Sequence, residues 1–177
     1  MYKAVFIVSL LLLSGVAAHA QFYAFGGYSY THADLNSAGS TSLNGWDGSI
    51  EGKVLPLLGL VADFSGGYGS PNIGFDGNSS TSVSLHQYNF LFGPQVSFSV
   101  SKIRPFAHVL LGASHLSESA LGASTSDNAF AYAIGGGLDY HLVPMFAWRV
   151  QADYLQTRFN STSQNDVRIA TGLVFHF

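Results

Sequence analysis

Cysteine is absent from the 177 residues. That excludes disulfides, thiolate metal ligation, a cysteine nucleophile and an amino-terminal lipid-modified cysteine. Charge is scarce: Asp, Glu, Lys and Arg make up 10% of the chain, against roughly 25–35% on the surface of a small soluble domain. The formal net charge of −3 offers no basic patch and excludes nucleic acid as a partner class. No apolar run reaches the roughly 20 residues a membrane-crossing helix needs. The longest, Ala4 to Leu13, is too short and too lightly flanked. Linkers, charge blocks and long-period repeats are missing too, so one domain is expected. The histidines, His32, His86, His108, His115, His141 and His176, are scattered without ligand spacing, so neither a metal nor another cofactor is expected.

Aromatics, by contrast, reach 14%, and their placement is ordered. Residues 1–20 combine Lys3, the short apolar run and Ala18-His19-Ala20 before Gln21, the pattern of a cleavable secretory signal peptide. The remaining domain, 21–177, breaks into segments of alternating hydrophobicity, the period of a β-strand. Eight are predicted, near 21–31, 44–55, 57–69, 82–100, 105–117, 128–143, 146–159 and 166–177. In the sixth, Phe130, Tyr132, Ile134, Leu138, Tyr140 and Leu142 share one face, and Asp139 and His141 the other. In the seventh, Phe146, Trp148, Val150 and Tyr154 oppose Arg149, Gln151, Asp153 and Thr157. Slipping that strand by one residue would put Arg149 in lipid at about 2–4 kcal/mol, so the register is determined. The fifth segment pairs outward Ala107, Val109, Leu111 and Ala113 with inward Phe106 and Leu110. Pro94, lacking an N–H, predicts a bulge or irregularity in the fourth.

The connections alternate. Leu55-Pro56, Ser101 to Arg104 and Val143-Pro144-Met145 are tight, whereas 32–43, 70–81, 118–127 and 160–165 are long and polar. Short turns at one end and long loops at the other describe an all-β, eight-stranded, antiparallel up-and-down transmembrane barrel with its short turns in the periplasm. A secreted lipocalin-like ligand-binding barrel is the competing architecture. It would have to pack at least fifteen outward Phe, Tyr and Trp side chains inside a cylinder barely wide enough for side chains.

Several segments resemble the small outer-membrane barrels grouped with the OmpA-like transmembrane domain and the opacity-type surface proteins. They are Gly27-Tyr28-Ser29-Tyr30, Gly45-Trp46, Val61-Ala62-Asp63-Phe64 through Tyr68-Gly69, Arg104-Pro105-Phe106-Ala107, and Gly135-Gly136-Gly137-Leu138-Asp139-Tyr140. The final strand, with Leu173, Phe175 and Phe177 on one face, resembles the terminal strand such barrels present to their insertion machinery. The resemblance implies residence in the bacterial outer membrane among phospholipid and lipopolysaccharide, with no catalysis. It names no loop partner.

The inward ionisable residues predict a polar network filling the lumen: Glu51, Lys53, Asp63, Asp139, Arg149, Asp153 and Arg168. Arg149, Lys53 and Glu51 are expected to plug the periplasmic half, with Asp139 as a further partner. Buried charges must be paired, because an unpaired one costs several kcal/mol, so negligible conductance is expected. Ser114-His115-Leu116-Ser117-Glu118 is similar to the His and Ser arrangement of outer-membrane lipid A deacylases. His115 and Ser117 would share one face as base and nucleophile must, and that forms the enzymatic alternative.

Overall fold

The computed structural model describes residues 21–34, 40–69, 72–75, 79–82, 84–120, 123–159 and 162–177. The expected signal peptide, 1–20, lies outside them. Ten strands form: β1 (Phe22–Asp34), β2 (Ser40–Lys53), β3 (Leu58–Gly69), β4 (Asn72–Phe75), β5 (Ser79–Ser82), β6 (Ser84–Ser97), β7 (Ile103–Ala120), β8 (Ala123–Val143), β9 (Phe146–Phe159) and β10 (Thr162–His176). Eight of them close an antiparallel barrel in the order β1-β10-β9-β8-β7-β6-β3-β2, and β4 and β5 pair separately as a hairpin. The wall is sealed where Phe22 and Phe177 exchange backbone hydrogen bonds of 3.0 and 3.1 Å.

Period two decides which side chains see the lumen. Along β9, Ala147, Arg149, Gln151, Asp153, Leu155 and Thr157 are buried, while Trp148, Val150 and Tyr154 are exposed. The same alternation in β7 buries Phe106 and Leu110 and exposes Val109 and Leu111, the register its hydrophobic pattern predicts. Most rings therefore line the outside and the charges the inside, the inverse of a soluble barrel. No helix among the described residues is long and apolar enough to cross a membrane, and the apolar outer wall does that work instead.

One expectation is narrowed and two change. First, Pro94 brings the expected irregularity without a bulge: the pairing of β6 with β7 lapses at Gly93-Pro94 but resumes at Gln95↔His108 in the same register, and Pro94 keeps its place opposite Leu60 of β3. A missing N–H removes one ladder bond on one side without adding a residue, so there is no bulge. The register shift in the barrel lies at His141/Val143, entering the turn to β9. Second, the segments expected to be long loops at 118–127 and 160–165 are largely strand, with β7 and β8 paired up to Ala120↔Ala123 and β9 and β10 up to Phe159↔Thr162. Third, the expected loop 70–81 holds the extra hairpin β4–β5. Beyond the bilayer both strand faces meet water, so hydrophobic alternation stops marking the strand while backbone pairing continues.

The other end is tight. Leu55 and Leu58 exchange backbone bonds across the β2–β3 turn, and Val100 and Ile103 across the β6–β7 turn. There Ser101 takes a left-handed φ of 56°, a strained geometry for a non-glycine residue that a two-residue hairpin demands.

Candidate functional site

The lumen is filled by side chains arranged in two linked ionic tiers. The tier nearer the short turns centres on Arg104, the second residue of β7, whose side chain is fully buried. Its Nη2 donates to both Glu51 oxygens, at 2.6 and 2.5 Å, and to Ser97 Oγ at 2.9 Å, while Nη1 donates to Asp139 Oδ2 at 3.1 Å. Arg149 donates through Nε and Nη2 to the two Asp139 oxygens at 2.7 and 2.9 Å. Rings complete the coordination of these cations. Tyr23 lies 3.7 Å from the Arg104 guanidinium carbon, and Phe106 and Phe25 lie 4.4 and 5.0 Å from that of Arg149, distances at which a ring face attracts a cation.

The second tier centres on Arg168 of β10. Nη1 and Nη2 donate to Asp63 at 2.9 and 3.3 Å, Nη2 and Nε donate to Asp153 Oδ2 at 2.7 and 3.0 Å, and Nη1 donates to Ser65 Oγ at 2.8 Å. Asp47 stands 3.5 Å away and receives Gln151 Nε2 at 3.1 Å. Gln95 and His108 tie the tiers together. Gln95 Nε2 donates to Glu51 Oε2 at 2.8 Å, which turns its amide oxygen toward His108 Nδ1 at 3.3 Å. His108 Nε2 meets Asp153 Oδ1 at 2.8 Å. One hydrogen-bonded path thus runs from Arg149 to Asp63 through nine side chains, both ends included, on seven strands. Beside it lies an apolar layer of Val61, Leu91, Leu110, Ala131, Ala133 and Leu155.

Space for the tiers comes from glycine. A Cβ on Gly135 would stand 2.0 Å from Asp153 Oδ1, and one on Gly137 would stand 2.8 Å from the Phe106 ring. The Gly135-Gly136-Gly137 stretch is therefore clearance for the network, set within a strand and not at a phosphate-binding turn.

Of the seven lumen residues read from the sequence, Glu51, Asp63, Asp139, Arg149, Asp153 and Arg168 lie buried in the two tiers. Lys53 does not join them. As the last residue of β2 it reaches the mouth, where Nζ donates to the backbone oxygens of Pro56 and Ser97 at 2.9 and 3.4 Å. Both oxygens of Glu51 are held instead by Arg104 Nη2. Arg104 itself escaped notice because its residue was assigned to a turn. Its parity with Phe106, already placed inside, was the available signal. His108 and Gln95 are likewise outside the expected set, because a sequence places residues on a face but not across a lumen.

Leu173 and Phe177 are exposed on the outer wall, and the Phe175 ring sits 5.2 Å from Phe146 and 5.4 Å from Phe177. His115 also faces outward, with Nδ1 at 2.8 Å from Asn128 Oδ1, whereas Ser114 points into the lumen and accepts from Gln87 at 3.4 Å. Among the described residues no group of three His, Asp or Glu is placed to hold a metal ion.

The chain matches the model of the outer membrane protein beta-barrel domain over residues 5–177. It is similar in fold to several solved structures. Neisserial surface protein A (NspA) shares 14% identity and a TM-score of 0.70, with 88% of this chain and 97% of that one covered. Ail, the attachment invasion locus protein of Yersinia pestis, shares 16% and 0.60, with 88% and 99% covered. OprG of Pseudomonas aeruginosa shares 11% and 0.62, with 89% and 96% covered. No curated protein matches the chain by sequence.

Proposed function

Because the chain belongs to the outer membrane protein beta-barrel domain family, we propose that it is a closed, non-catalytic barrel of the bacterial outer membrane whose strand extensions and loops act at the cell surface. A leader at 1–20 would be removed during export, leaving 21–177 as the working domain. The terminal strand with Leu173, Phe175 and Phe177 would be read by the insertion machinery. Lumen ions hold the wall in register and deny passage to solutes.

The observation that carries this reading is the pair of buried arginine clamps. Arg104 joins β7 to Glu51 of β2, and Arg168 joins β10 to Asp63 of β3, each bridging strands that are not neighbours in the barrel. A transport path would have to break both, and separating either pair strands a desolvated charge at about 3–5 kcal/mol.

Ail is an attachment invasion locus protein, and one of its structures holds the heparin analogue sucrose octasulfate. The present chain has less to offer a polyanion. Three of its arginines, Arg104, Arg149 and Arg168, are buried, Lys53 and Lys102 lie at the short-turn end, and Arg158 alone remains near the long-connection end. A surface ligand with hydroxyl or amide groups suits the Ser, Thr and Asn of those connections better. Planar-bilayer recording tests the closed lumen: purified protein should add no stable conductance steps, and a steady open level would refute the plug.

A further inference from the structure

One region of the outer wall is hollow. Trp46, Gly66, Tyr88, His115 and Asn128 are successive register partners across β2, β3, β6, β7 and β8. Phe64, Phe90 and Ala113 form the neighbouring row. At Gly66 the space is already taken: a Cβ there would stand 2.6 Å from the Trp46 indole nitrogen and 3.2 Å from the Tyr88 ring, so both rings lean over it. The gap lies at Ala113, beside Phe90. Trp46, Phe64, Tyr88, Phe90, Ala113 and His115 are among the residues that line a hollow of about 280 Å³ there.

Its walls are almost wholly apolar, and its polar groups gather along one edge. There Trp46 Nε1 donates to Tyr68 Oη at 3.4 Å, Tyr68 and Tyr88 hydroxyls meet at 3.4 Å, and His115 Nδ1 is engaged by Asn128 Oδ1. The commitment of Nδ1 leaves His115 Nε2 as the ring atom available to a ligand. An apolar hollow does not hold ordered water, and left empty it forfeits dispersion contacts along its lining. The hollow is continuous with the lipid-facing wall, so acyl chains are the material at hand to fill it. It lies in the half of the barrel nearer the long connections, which is the outer leaflet, where the acylated lipid is a phosphorylated glycolipid.

We propose that this hollow is a seat for one acyl chain of lipid A, with His115 and the tyrosine hydroxyls receiving the polar end of that chain. The proposal rests on the outer-membrane reading above and deepens it, since it makes one patch of the wall selective. Bulk lipid merely wets the remainder.

The two tryptophans, Trp46 and Trp148, allow a direct test. The Trp148→Phe protein leaves Trp46 as the sole reporter in the seat, and the Trp46→Phe protein leaves Trp148 as a reporter of bulk lipid on the opposite wall. Each is reconstituted in vesicles of dibrominated phosphatidylcholine, whose bromines quench tryptophan, and unbrominated lipid A is titrated in. Occupancy of the seat should restore Trp46 emission at a lipid A mole fraction at least about threefold below that needed at Trp148, a preference of more than about 0.6 kcal/mol. Filling the hollow with Ala113→Phe, or with Ala113→Leu if the ring hinders folding, should bring the Trp46 curve onto that of Trp148. Identical curves in the parent proteins, or a preference that survives both fillings, would overturn the seat. Equal protection by unbrominated phosphatidylglycerol would overturn its assignment to lipid A. Failure of the membrane reading would look different, with neither tryptophan quenched by brominated chains.

Discussion

Arg168 and Asp63 lie 105 positions apart in the chain and meet inside the barrel through two hydrogen bonds, at 2.9 and 3.3 Å. They sit on β10 and β3, which are not neighbours in the wall, so their contact spans the lumen. Two further carboxylates, Asp153 and Asp47, converge on the same guanidinium.

Arg168→Met should consequently be among the most damaging single changes. It leaves three buried carboxylates around an empty centre, and loss of one member of a buried ionic cluster costs about 3–5 kcal/mol. Urea unfolding in lipid vesicles, followed by tryptophan emission, should show an unfolding free energy lowered by that amount, with part of the loss recovered in Arg168→Met combined with Asp63→Asn. An unchanged midpoint would remove the cluster from the list of stabilising elements.

The Arg104 and Glu51 pair should show strong coupling in a double-mutant cycle. Either Arg104→Met or Glu51→Gln alone strands a charge, whereas the double variant strands only Asp139 in part, through its remaining partner Arg149. The expected interaction energy lies toward the upper end of about 0.5–3 kcal/mol for residues of one network. Lys53→Met should fall near the parent, since its ammonium touches only turn carbonyls.

On the outer wall the cost of a charge should follow depth. Ile134→Arg, near mid-bilayer on β8, is expected to cost about 2–4 kcal/mol, and Leu142→Arg, at the short-turn edge, about 0–1 kcal/mol. Both residues are exposed in the structure, so a soluble barrel would tolerate both alike. Equal midpoints for the two variants would contradict a membrane-facing wall.

Phe177→Ala should separate assembly from stability. It keeps the backbone bonds with Phe22 and removes one outer ring, packed 5.9 Å from Phe22, so the unfolding free energy should fall by about 1–2 kcal/mol at most. Insertion into outer-membrane vesicles carrying the assembly machinery should fall several-fold, while unassisted folding into synthetic vesicles continues. Equal losses in both systems would make Phe177 a packing residue alone.

Much of this molecule was readable one strand at a time. The faces of β2, β3, β8 and β9 follow from where Lys, Arg, Asp and Glu stand, because a charge turned to lipid is too costly for the register to slip. Strand ends were harder. Glu118 to Ala120 and Ala123 to Asp127 pair as strand, yet their sequence reads as loop, since outside the bilayer neither face has to be apolar. Arg104 was hidden by the same uncertainty at the opposite end, one residue past a tight turn.

By itself, the order of amino acids determined that eight alternating strands close with rings outward, ions inward and short turns at one end. That information is local, because period two ties each side chain to a face and the bilayer penalises every error. Only the tertiary structure decided which ion answers which, that Arg104 and not Lys53 grips Glu51, that Gln95 and His108 couple the two arginine centres, and that Ala113 leaves a hollow in the wall. Those outcomes depend on how strands far apart in sequence face one another across the lumen, and on where a missing side chain on one strand meets a ring on the next. Barrel closure sets both, and alternation along a single strand carries no record of it.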